Sequence, residues 1–159
     1  MQVIDWVTVE NGEAGLPLDG HAEFEVFDQD MKKIRKRSAS WLAKSARRGF
    51  RGYPIATVAF YGPTAELATK IAVSIIPDER NSPDQLERWH SEGIDVRLDP
   101  VVGEQVLAFL RQHQARSVIV TDRIIGCPHE EGVDYPEGNS CPDCPYWVGR
   151  DRFTHERIH

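Results

Sequence analysis

Every cysteine of this chain lies between positions 127 and 144, and a histidine stands among them. The order is Cys127-Pro128-His129, a gap of eleven residues, then Cys141-Pro142-Asp143-Cys144. Thiolates and imidazoles are the ligands that zinc and softer cations prefer, and four of them close a tetrahedral shell. The same stretch carries Pro128, Pro136, Pro142 and Pro145, with Gly132 and Gly138 between them, and no hydrophobic period. An irregular segment this long needs a source of order besides a core. Metal ligation is such a source, because binding free energy becomes folding free energy. The sequence therefore predicts a metal site at Cys127, His129, Cys141 and Cys144, with Zn²⁺ as the ion. A shell filled at all four corners by protein leaves no position for substrate, so the motif names a structural role and no reaction.

Other readings of the same letters stay open. Cys127-Pro-His129 followed by Cys141 resembles the two loops of Rieske iron–sulfur proteins, with Cys144 where that family has a second histidine. The resemblance implies a [2Fe–2S] cluster as the alternative cofactor. His129-Glu-Glu131 followed by Cys141-x-x-Cys144 is similar to a cytidine-deaminase-like site. The gap is too short for the usual intervening strand and helix, and Cys127 would close the site. Cys141-Pro-Asp-Cys144 also has the spacing of a redox pair, but Pro142 and Pro145 put it in loop and not at a helix start. His155-Glu-Arg-Ile-His159 spells the zinc-protease motif at the chain's last five residues, where a helical turn frays and no third ligand follows.

With 159 residues the chain suits one compact domain plus a small appendage. No apolar run approaches a membrane span, and the first residues lack the order of a secretory signal. The expectation is a cytoplasmic protein without a membrane partner, where clustered thiols mean metal or redox chemistry before disulfides. Oligomeric state is not legible. The net charge of −6 is distributed in blocks. Residues 1–30 hold eight acids and no Lys or Arg, whereas 31–53 hold nine Lys or Arg and no acid.

The expected fold class is α/β: a short parallel β-sheet with crossover helices, an N-terminal antiparallel hairpin and a C-terminal metal-ordered loop. Alternation over 3–9 and 22–26 predicts the hairpin strands. Caps at Asp28 or Asp30 and at Gly49 bound a basic helix over 31–53. Residues 55–61 read as a strand. Leu67, Ala68, Ile71, Ala72 and Ile75 fall at helical spacing. Ser82-Pro-Asp-Gln85 reads as a capping box opening a short helix through Trp89. Residues 94–98 read as a strand, Asp99-Pro100 as a cap and helix start, and 117–121 as a central strand covered on both faces. The division is 1–125, an α/β domain with its hairpin and basic helix, and 126–159, the Cys/His tail packed on it.

Lys32, Lys33, Lys36, Arg37, Arg47, Arg48 and Arg51 are the candidate nucleic-acid-binding residues, with Trp41, Phe50 and Tyr53 interleaved for base stacking. The competing reading pairs these cations with the chain's own acidic first thirty residues. Asp122, Glu130 and Asp134 are candidate outer-shell carboxylates for the metal ligands. The function expected is a zinc-stabilised binding or regulatory module, with nucleic acid as the first partner to test. The alternative is a metal-dependent hydrolase working beside Asp122 and the Cys/His loop. The tail from Gly126-Cys-Pro-His-Glu-Glu-Gly132 to Cys144-Pro-Tyr-Trp147 resembles that of a family of small uncharacterised bacterial proteins. The resemblance implies a bacterial cytoplasmic source and nothing about activity.

Overall fold

Strand β1 (Ile55–Tyr61) alternates buried and half-buried residues in the computed structural model, which describes residues 42–158. It pairs antiparallel with β2 (Lys70–Ile76), whose alternation matches, so Ala56, Val58 and Phe60 lie across from Ile75, Val73 and Ile71. These six side chains form the buried face. Strand β3 (Gln85–His90) adds antiparallel to β2, and β4 (Ser117–Ile124) adds parallel to β1. The order is β3-β2-β1-β4.

The helix Pro100–Gln112 covers the buried face through Val102, Val106 and Leu110. Its start is as the sequence predicts: Asp99 accepts the backbone N–H groups of Val101 and Val102, and Pro100 occupies the first turn. Trp89 of β3 meets Phe109 of this helix edge to face, with ring centroids 5.6 Å apart. The helix lies on the connection from β3 to β4, so the α/β class and a crossover to a parallel strand both stand. The sheet, however, is mixed.

Several local expectations are corrected. The helix expected around Leu67–Ile75 is strand β2. Ile71, Val73 and Ile75 also satisfy a period of two, and β-branched side chains fit a pleated surface better than a helix. Ser82–Gln85 does not start a helix; Asp84 instead donates its N–H to Ile75 O and leads into β3. Residues Val96–Leu98 make a 3₁₀ turn and not a strand. Strand β4 has one neighbour among the described residues, and Ile119 is 57% exposed, so it is not covered on both faces. The N-terminal hairpin, Lys32, Lys33, Lys36, Arg37, Trp41 and His159 lie outside the described residues. The end of the basic segment, residues 42–47, is helical, with Leu42 packed against the core.

Candidate metal centre

The parallel pair delivers its carboxyl ends to one place. Past β4, Ile125 donates its N–H to Phe60 O, and Gly62, just past β1, donates to Gly126 O. The next residue is Cys127. The tail is thus launched from the strand ends where open sheets commonly carry their sites.

Cys127 and His129 flank Pro128 in a bend that brings their ligand atoms together. The Cys127 Sγ accepts the His129 N–H at 3.4 Å and lies 3.3 Å from His129 Nδ1. The chain then turns through Gly132 and Gly138, both at positive φ (79° and 81°), where a side chain would be strained. It returns with Cys141 and Cys144, whose Sγ atoms are each 3.4 Å from His129 Nδ1. One imidazole nitrogen therefore caps three sulfurs at nearly equal distance. A zinc ion with bonds of about 2.3 Å to sulfur and about 2.0 Å to nitrogen would separate S and N by about 3.5 Å. All four ligand atoms lie within 4.8 Å of one another. The residues fit a single four-coordinate ion, and the cluster can hold a metal.

The electrostatics agree. Burial pushes the Cys127 thiol up from its ordinary range, and it pushes Cys144 up further, reinforced there by the neighbouring thiols. Cys127 and Cys144 are thereby held toward the neutral thiol. A divalent cation supplies the charge that converts them to ligating thiolates. Cys141 and Cys144 are buried, and Cys127 is half-buried.

The carboxylates expected around the site are engaged elsewhere. Glu130 Oε1 sits 2.6 Å from Lys70 Nζ and 2.7 Å from Arg88 Nε. The Lys70 hydrogen bond holds its carboxyl below the ordinary range, against a smaller opposing effect of burial. Asp134 accepts the Glu130 N–H at 2.6 Å. Neither accepts a hydrogen bond from the His129 ring among the described residues. Asp122 is exposed on β4 and lines a separate cavity of about 370 Å³ with Arg47, Phe60 and Val102. A different cavity, about 300 Å³, borders the cluster and is lined by Cys127, His129, Lys70, Arg88, Glu130 and Arg152.

Lys70 is the residue sequence reasoning missed. It is 4% exposed, and its ammonium also donates to Pro128 O at 2.8 Å, between two ligands. A lone lysine opening an apolar strand was the available signal. Trp147, also missed, donates its indole N–H to Gly62 O at 2.7 Å and so ties the turn after Cys144 to the end of β1.

His155 does not join the cluster. Its Nε2 lies 2.7 Å from Ile124 O, so that nitrogen carries a proton and donates, and its ring meets Trp147 edge to face. Of the basic residues, Arg47, Arg48 and Arg51 are exposed, as is Lys44. No helix among the described residues is long and apolar enough to cross a membrane. No protein-family model matches the chain, and neither a curated protein nor a solved structure does.

Proposed function

We propose that this chain is a zinc-stabilised binding module, in which one Zn²⁺ at Cys127, His129, Cys141 and Cys144 fixes the irregular tail on the ends of β1 and β4. The observation that carries this reading is the near-equal spacing of three sulfurs, 3.3, 3.4 and 3.4 Å, around His129 Nδ1. A two-iron cluster divides its four ligands between two metals and spreads them further than one ion does, so the compactness favours zinc over [2Fe–2S]. A full protein shell leaves no corner for water, which favours a structural over a hydrolytic role. Elemental analysis and the visible spectrum test it together. Expected is a colourless protein with one zinc per chain, lost in Cys144→Ser. A brown protein carrying iron, or one with no metal, would overturn it.

The partner class first in line is nucleic acid. The observation in its favour is that Lys44, Arg47, Arg48 and Arg51 are exposed and form no ion pair among the described residues, with Phe50 70% exposed beside them. Phosphates are matched by such cations, and an exposed aromatic such as Phe50, which meets Tyr53 edge to face, can stack on bases. Single-stranded DNA and RNA binding at low salt is the test. Charge-neutral changes at Arg47 and Arg48 should flatten its salt dependence, and no association with either would eliminate the reading.

A further inference from the structure

The cavity beside Cys127 and His129 is furnished with donors that lack acceptors among the described residues. Its floor is the sheet face opposite the helix, where Tyr61, Lys70 and Arg88 are brought together by the β1–β2–β3 register: Tyr61 lies across from Lys70, and Ala72 from Arg88. Its wall is the tail, with Tyr135 and Arg152. We propose that this cavity binds a small oxyanion, a carboxylate or phosphate group, through Arg88, Arg152 and the hydroxyls of Tyr61 and Tyr135.

The two carboxylates that also line the cavity are already occupied. Glu130 takes Lys70 and Arg88, and Glu131 accepts the Gly138 N–H. Arg88 spends only its Nε on Glu130, which leaves its two terminal nitrogens. Arg152 has no hydrogen-bond or ion-pair partner among the described residues, and the hydroxyls of Tyr61 and Tyr135 have none either. A tyrosine phenol is protonated at neutral pH, so Tyr135 is a donor there. Guanidinium nitrogens present paired donors in a geometry that matches carboxylate and phosphate oxygens. The volume, about 300 Å³, is at the small end of ligand cavities and admits a small molecule rather than a chain. A zinc ion with three thiolates carries one net negative charge. The Lys70–Glu130–Arg88 group carries one net positive charge beside it. Directed hydrogen bonds, more than net field, therefore select the ligand.

The proposal does not depend on which metal the cluster holds. Metal content is measured in the same samples, so a metal-free preparation counts against the zinc reading while the anion titration still reports on the cavity. The full chain is titrated with inorganic phosphate and, separately, with acetate, and followed by amide and Arg side-chain NMR shifts. Expected is saturable binding of at least one of them, with shifts centred on Arg88 and Arg152. Arg152→Gln, at an exposed unpaired side chain, should weaken it about tenfold, the worth of one charge-assisted hydrogen bond. Tyr135→Phe should weaken it less, and Arg111→Gln, on the helix that covers the opposite face of the sheet, should leave it unchanged. Binding of phosphate alone or acetate alone assigns the class. No saturable binding of either, or equal binding by wild type and Arg152→Gln, overturns the proposal.

Discussion

The ammonium of Lys70, buried in β2, holds the Glu130 carboxylate at 2.6 Å from beneath the metal loop. Its second bond, to Pro128 O, fixes the residue between two ligands. A cation at 4% exposure is costly unless paired and hydrogen-bonded, and here it is both. Lys70→Met should therefore loosen the tail while sparing the sheet, at a cost of about 1–3 kcal/mol in denaturant unfolding. Glu130→Gln should behave similarly. The double variant should cost less than the sum of the two, which the mutant cycle measures.

Metal removal tests the tail directly. Gly132 and Gly138 sit in turns with little apolar packing, so apart from the ion pairs of Glu130 and local turn hydrogen bonds the loop between His129 and Cys141 has no buried core of its own. Chelation, or Cys144→Ser, should expose residues 130–140 to limited proteolysis. Helix content measured by far-UV circular dichroism should survive, because Val102, Val106 and Leu110 pack on the sheet. With free zinc at about 1,000 times its dissociation constant, binding adds about 4 kcal/mol to folding stability. The apo protein should melt correspondingly lower.

Backbone closes tightly on Gly62 in the connection from β1 to β2. A Cβ there would lie 1.8 Å from Leu67 O, inside any tolerable contact, and the neighbour is backbone that cannot swing away. Gly62→Ala should destabilise by about 3 kcal/mol, at the upper end of overpacking costs. Thermal unfolding measures it. Trp147→Phe keeps a six-membered aromatic ring but removes the bond to Gly62 O and the pyrrole half of the indole, so about 2 kcal/mol is expected.

Asp95 sets a pH dependence. Burial pushes its carboxyl up, but hydrogen bonds from Arg97 and from the N–H of Ala68 outweigh that and leave it below its ordinary value. A lowered folded pKa contributes stability that is complete above the unfolded value of 3.8 and is lost as pH falls through the folded one. Asp95→Asn should be less stable than wild type at neutral pH, and the gap should close on acidification below about pH 4. Denaturant midpoints across that range, with chelator present so that metal release does not contribute, provide the measurement.

Much of the centre was legible beforehand. Cys127, His129, Cys141 and Cys144 declared themselves by chemistry and spacing, since few residue types ligate and these were clustered. The start of the helix at Asp99-Pro100 was equally readable, because an N-cap and a proline act on the nearest turn alone. The surroundings were not. Glu130 and Asp134 have the right chemistry to support His129, but Glu130 is claimed by Lys70 and Arg88 and Asp134 by the Glu130 N–H, and only strand register brings Lys70 and Arg88 there.

The sequence by itself determined what is local: the Cys/His set able to hold a metal, the irregular backbone between Cys127 and Cys144, and the cap at Asp99. Tertiary structure decided whether Leu67–Ile75 is helix or strand, because Leu67, Ala68, Ile71, Ala72 and Ile75 fit a helical period, Ile71, Val73 and Ile75 fit a period of two, and the open hydrogen-bonding edge of β1 settles between them. It also decided that Lys70 belongs to the metal loop and Asp122 does not. Those outcomes depend on pairings between residues tens of positions apart, whose energies no nearest-neighbour pattern contains.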